Sequence, residues 1–317
     1  MNTVERTFLL EAKEGLGARP RPELIGPVLT YLRGTLLDTV RMGFLHSSRA
    51  LGRIPPSLKA AADVRFVGHS ADGKSGTLLR FEVPSFGSAA PELFRQQRLW
   101  DDGPEPEQTA FELLGAALVD VAARRVDSNR FDPGLLRRFA RYRTLFSRGH
   151  LTRIGLPDSV GATSARLDTA VASAASDLFA STPPTQRVRL VGRLDVLGAS
   201  QGVLKLELKP GVVVSGLWEG DGPVDALKDY FNRDIVVEGR AVYRPSGALL
   251  RVDVQAIGMA TATDDYFRVL PSGRVKGDVM RLARLRPGEG SSYARILGRI
   301  PAEESDEDFL AAVEALS

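Results

Sequence analysis

The stretch from Arg187 to Ile257 constrains the fold more than any other part of the chain. It holds five runs in β-strand residues, Arg187–Leu197, Gly202–Gly211, Val212–Gly220, Asp234–Tyr243 and Ala248–Ile257, separated by short turns. In the first run Val188, Leu190, Leu194 and Val196 alternate with Arg187, Arg189, Arg193 and Asp195, the period-2 pattern of a strand with one buried face. Gly192 and Gly239 fall mid-strand, where glycine marks a bulge or the tight coiling of a small sheet that must close. Tyr243–Gly247 and Lys209–Gly211 carry proline–glycine turn chemistry. Between the third and fourth runs, Pro223–Tyr230 reads as a short helix with proline in its first turn. Its Val224 and Leu227, with the following Phe231, are expected to plug the open end of a barrel spanning residues 185–262.

Five strands with a helix between the third and fourth resemble the OB-fold barrel, and the resemblance covers only this quarter of the chain. It implies a binding module rather than a catalytic one.

The rest of the chain reads as α+β. Residues 1–160 form one predicted domain, opening with a strand at Thr7–Ala12 and a helix over Pro22–His46 whose Leu24, Val28, Leu29, Leu32, Leu36, Val40 and Phe44 make a buried stripe. A hairpin over 63–83 follows, then helices over 108–125 and 133–146. Residues 161–184 are expected to be a small-residue helix, Thr163–Phe179, and a stiff linker at Ser181–Pro184. Residues 263–317 are a basic segment and an acidic helix: eight basic residues against two acidic ones from Arg268 to Arg299, then six acids and no base. That last helix carries Phe309, Leu310, Val313 and Leu316 on one side behind a Ser305–Asp308 capping box. It is expected to dock on the protein through its apolar stripe. The closing segment, Ile296–Leu316, also resembles the ends of uncharacterised bacterial proteins, which carries no function across.

Absence of cysteine excludes disulfides, thiolate catalysis and cysteine metal sites. The start of the chain lacks a signal-peptide layout, and no run approaches 18 apolar residues. A cytoplasmic location and no membrane partner are expected.

Two motifs invite chemistry. Gly68–Ser75 spells a phosphate-binding P-loop, but such a loop must open a helix. Here the following residues, Gly76–Val83, alternate as a strand, so a hairpin turn at Asp72–Gly73 is the better reading. Asp195 with Glu207 and Lys209 resembles the metal-binding core of RecB-type nucleases, in which two carboxylates hold magnesium and a lysine helps activate water; His150 stands where that family has a metal-binding histidine. The sequence departs from that family in running straight into further strands and in lacking its glutamine–tyrosine motif. The three histidines, His46, His69 and His150, are scattered.

Ten basic residues oppose nine acidic ones in the barrel, a poor balance for phosphate neutralisation. Arg187, Arg189 and Arg193 nevertheless share one strand face, with Lys205 and Lys209 on the next strand and Trp218 and Tyr243 as the rings expected near the face for stacking. Outside the barrel, Arg137, Arg138, Arg141, Arg143, Arg148 and Arg153 interleave with aromatic residues, a pattern of an amphipathic helix with solvated arginines. The sequence therefore reads as a binding or accessory protein without a cofactor. Nucleic acid is the first-choice ligand, held by Arg187, Arg189, Arg193, Lys205, Lys209, Trp218 and Tyr243. A RecB-type nuclease (Asp195, Glu207, Lys209) and a protein-interaction or structural module are the alternatives.

Overall fold

A computed structural model describes residues 3–13, 17–49, 54–72, 76–94, 103–147, 151–156, 165–198 and 202–273, all within one compact unit, Met1–Gly273. The acidic C-terminal helix, the basic segment from Arg274 onward and His150 lie outside the described residues. Among the described residues no helix is long and apolar enough to cross a membrane.

The N-terminal half runs β1 (Thr3–Ala12), α1 (Pro22–Leu45), α2 (Pro56–Ala61), β2 (Arg65–Ala71), β3 (Thr77–Pro84), α3 (Phe86–Ala89), α4 (Ala110–Ala122), α5 (Pro133–Arg141), α6 (Arg143–Ser147), β4 (Leu151–Leu156), β5 (Ala165–Asp168) and α7 (Thr169–Ser181). Its five strands form an antiparallel sheet in the order β2-β3-β1-β4-β5. Phe8 and Leu10 of β1 and Leu79, Phe81 and Val83 of β3 turn one face into a core shared with the α1 stripe Val28, Leu32, Leu36 and Val40. Phe8 packs edge-on against Phe81 and Phe111, with ring centroids 5.7 and 4.8 Å apart, the offset that aromatic quadrupoles favour.

Local chemistry sets the helix ends. Thr109 and Glu112 make a capping box for α4, and the Asp132 carboxylate accepts from Leu135 N at 2.9 Å to start α5. The small-residue helix begins at Thr169 rather than Thr163, because Asp168 caps it (Val171 N, 2.9 Å) and Ala165–Asp168 pairs with β4 as a strand. The helix expected over 133–146 breaks at Tyr142 into α5 and α6. The first four P-loop letters, Gly68–Ala71, fall on β2, which pairs His69 with Leu79 and Ser70 with Leu78; Gly73–Ser75 lie outside the described residues. Gly68–Ala71 is therefore hairpin strand, not a helix entrance.

The C-terminal half consists of β6 (Gln186–Gly198), β7 (Val203–Lys209), β8 (Val212–Trp218), a 3-10 helix at Val224–Tyr230, β9 (Asp234–Tyr243) and β10 (Leu249–Met259). The strands close into a barrel in the order β10-β8-β7-β6-β9. All neighbours are antiparallel except β8 and β10, which run parallel with Val252 opposite Gly216. This closed five-stranded barrel is compatible with an OB-like one. Leu190, Leu194, Leu204, Leu206, Val214, Ile235, Val237, Val252 and Val254 fill it, and Leu227 plugs one end. Phe231 does not join the plug; it is 53 % exposed. Closure depends on Gly239, where an added Cβ would sit 2.2 Å from the Asp253 carbonyl oxygen. Gly192 meets the Glu207 carbonyl in the same way, at 2.6 Å.

The two halves share apolar and polar contacts. Leu217, Val242 and Leu250 point outward from the barrel into the N-terminal core. Thr182 and Pro183, expected as a linker, are buried. Beyond β10 the chain folds back as a strap over residues 260–273, which begins where Ala260 N meets the Asp234 carbonyl (3.1 Å) and ends where Gly273 N meets that of Gly247 (2.8 Å).

Candidate functional site

The outward flank of β6 and β7 brings together most of the residues that the sequence singles out. Arg187, Arg189 and Arg193 are exposed along β6, with Lys205 and Lys209 on the adjacent β7, the latter exposed. Two of these guanidinium groups are engaged within the protein. Arg193 donates to Glu207 at 2.8 Å, its direct cross-strand neighbour. Arg189 donates to Asp264 of the strap at 2.9 Å, approaches Glu238 at 3.7 Å, and lies over the Phe267 ring, 5.1 Å from its centroid. Hydrogen bonds from Thr261 hold the Asp264 carboxyl below the usual carboxylate range. Arg187 makes none of the ion pairs found among the described residues and faces Arg240 across the strands; Glu219 neutralises that neighbour at 3.1 Å.

Neither expected stacking ring lies open on this flank. Tyr243 is 1 % exposed inside the barrel core, its hydroxyl 3.4 Å from Gln186 Oε1. Trp218 is half-buried against the same core, and its indole N–H donates to the Gly222 carbonyl at 2.8 Å. Asp195 is exposed at a bulge between Leu194 and Val196. Glu207, besides holding Arg193, accepts weakly from Gly211 N at 3.4 Å. Among the described residues no three His, Asp or Glu side chains gather as a metal-ligand cluster.

One heavily buried polar constellation was not legible as a site. Arg251, on β10, donates through Nη1 to the His46 carbonyl (2.8 Å) and to Asp132 (3.3 Å), and through Nε to Asp253 (2.7 Å). Asp132 also accepts from Ser48 N (3.0 Å) and Ser48 Oγ (2.6 Å). The guanidinium therefore bolts the barrel to the end of α1 and the start of α5. Asp38, one face further along α1, is held by Arg138, yet burial dominates and raises its pKa. The Asp132–Pro133 pair does read as a helix start in sequence, but nothing local announces Arg251 as its partner.

A groove of about 860 Å³ runs beside this junction, along the α4 residues Glu112, Leu113, Ala116 and Asp120 and the end of α1. Buried Asp120 organises its far wall by accepting from Ser128 Oγ (2.7 Å), Arg130 (2.9 Å) and Arg125 (2.9 Å). The same loop grips the β9–β10 hairpin, since Ser246 N donates to the Val126 carbonyl at 3.3 Å and Arg244 Nε to Asn129 at 3.0 Å.

These features define a two-layer α+β body carrying a closed barrel, compatible with an OB-like binding module. No protein-family model matches the chain, and no curated protein or solved structure matches it either; the likeness of its closing segment to a bacterial family has no support from that quarter.

Proposed function

We propose that this chain is a binding or accessory protein whose barrel recognises single-stranded nucleic acid through the outward flank of β6 and β7. One observation carries the reading: Arg187, Arg189, Arg193, Lys205 and Lys209 lie on two neighbouring strands of the barrel, and all but Lys205 are exposed there. The Arg193–Glu207 pair is roughly half-exposed on its arginine side, and such pairs contribute little in water, so phosphates can replace the carboxylate at small cost. With Tyr243 buried and Trp218 turned inward, affinity rests on charge rather than stacking, and binding is correspondingly salt-sensitive.

The test is fluorescence anisotropy of a labelled single-stranded oligonucleotide across a salt series. Replacing Arg187, Lys205 and Lys209 together by Glu leaves the Arg189 and Arg193 pairs intact. It is expected to abolish binding and, in partial variants, to flatten the salt slope by about 0.7 per lost phosphate contact. Binding that ignores salt, or that survives the triple change, refutes the reading. Metal-dependent cleavage in the same samples with magnesium, lost in Asp195→Ala, would replace it with the RecB-type nuclease.

A structural role for the barrel is the second reading, favoured by Arg251 and by the β9–β10 hairpin gripped at Val126 and Asn129. Under it, nucleic acid does not bind at any salt concentration and the barrel acts as a brace for the N-terminal half.

A further inference from the structure

The groove beside the junction of the two halves is walled by two helices. Thr39, Met42, Gly43 and His46 border it at i, i+3, i+4 and i+7, along α1 and its C-cap. Glu112, Leu113, Ala116 and Asp120 do so from one face of α4, a stripe about 12 Å long. Met42, Leu113, Ala116 and Pro104 supply apolar wall. A cleft of about 860 Å³ between helices is the size and place of a site for one organic ligand.

The Asp120 end is charged and held in place. Asp120, 2 % exposed, accepts from Arg125 Nη1 and Arg130 Nη1, each at 2.9 Å, and from Ser128 Oγ at 2.7 Å. The backbone repeats the tie: Arg125 N donates to the Asp120 carbonyl at 2.9 Å, and Arg130 N to Ser128 Oγ at 3.0 Å. One buried carboxylate thus positions two guanidinium groups, while 60 % and 55 % of their side chains stay exposed. Each commits Nη1 to Asp120 and makes no other ion pair among the described residues. The donors left over are forks of the shape that a carboxylate accepts.

Charge selects the ligand. The other guanidinium and carboxylate groups bordering the groove are matched from outside it. Arg6 holds Glu112 at 2.7 Å, Asp177 holds Arg124 at 2.8 Å, and Asp127 lies close enough to Arg244 to oppose the burial that lowers that arginine's pKa. Two arginines against Asp120 leave one positive charge, which a monoanion neutralises and a phosphate dianion exceeds. We propose that the groove binds a small organic carboxylate, its apolar body along Leu113 and Ala116 and its carboxylate on Arg125 and Arg130. This site is separate from the β6–β7 flank and does not depend on nucleic-acid binding there.

The test is an amide chemical-shift titration of the full chain with hexanoate, with 1-hexanol and hexyl phosphate as comparison probes. Hexanoate is expected to bind with a Kd of about 1 mM or tighter, a modest affinity for a ligand of so few atoms, and to shift the amides of Ala116, Arg125 and Arg130. The neutral alcohol should bind roughly 10-fold more weakly, for want of a charge-assisted hydrogen bond. Arg125→Gln and Arg130→Gln should each weaken hexanoate by roughly 10-fold and leave 1-hexanol unmoved. Ala116→Phe, filling the groove, should abolish both, its dispersed amide spectrum showing that it folds. No saturable shift by about 20 mM overturns the proposal, as do equal affinities for acid and alcohol, tighter binding of hexyl phosphate, or hexanoate binding that survives both glutamine variants or a folded Ala116→Phe protein.

Discussion

Replacing Arg251 by Ala tests how the two halves are held together. The side chain is 7 % exposed, and Asp132 and Asp253 beside it are 3 % and 10 %, so its removal leaves carboxylates where water cannot replace the lost donors. The two do not suffer equally. Asp132 keeps three donors, Ser48 N, Ser48 Oγ and Leu135 N. Asp253 loses the one described donor to its carboxylate, at 2.7 Å. Stripping one member of a buried pair costs about 3 to 5 kcal/mol. For a unit of this size that corresponds to a melting temperature lowered by about 6 to 20 °C. Differential scanning fluorimetry reads the shift directly. A second variant separates lost charge balance from lost packing: Arg251→Met with Asp253→Asn removes the orphaned carboxylate and keeps most of the volume, and it should recover more than half of the loss. A shift below about 2 °C for Arg251→Ala, or a double variant as unstable as the single one, refutes the reading that Arg251 is needed to balance the carboxylates buried beside it.

Gly239→Ala forces a Cβ to within 2.2 Å of the Asp253 carbonyl oxygen, a backbone atom that cannot swing away. It is expected to destabilise the barrel by at least about 2 kcal/mol, whereas Gly211→Ala, with open space around its Cβ, is penalised only for its φ of +80°; equal melting temperatures for Gly239→Ala and wild type would contradict the closure argument. Asp264 has a folded pKa below its ordinary value of 3.8, so its contribution is present above that pH and is lost as pH falls through the folded value. Protection factors for amide exchange over residues 262–268 should therefore fall in acid in the wild type, and in Asp264→Asn they should be low already at neutral pH; identical pH profiles would dissociate the strap from this carboxylate.

The barrel was legible because alternation is clear in strands such as β7 and because the glycines stand where backbones must touch. Gly192 and Gly239 read as bends, and both abut a carbonyl of the neighbouring strand. The sequence also held information about the aromatic rings that residue type alone obscured. Ile235, Val237, Gly239, Ala241 and Tyr243 share one parity along β9, and the first two are core residues, so the same alternation puts Tyr243 inside. Val214, Gly216 and Trp218 follow the same rule on β8. Short elements were harder. Ala165–Asp168 is four residues of strand fused to a helix, and a run so short has no period of its own; only its pairing with β4 makes it a strand. Residues 151–156 were hidden behind the arginine-rich run before them, whose helical reading they were expected to continue.

Charge was the least legible property, because its consequences depend on partners far away in sequence. Arg189 meets an acid 75 residues downstream and Arg251 one 119 residues upstream. Counting residues in a window gives the barrel a balance near zero, yet the fold disposes of those charges in three physically different ways. Arg251 is buried and satisfied, Arg189 and Arg193 are drawn into surface pairs, and Arg187 is left without an ion pair among the described residues. Only the last state offers charge to a ligand at no internal cost. The strap is sorted in the same way: Asp264 and Arg268 pair with the barrel and Phe267 lies under Arg189, while Tyr266, Val269 and Leu270 stay exposed. Which side chains are available for recognition is thus decided by the tertiary pairing of their neighbours.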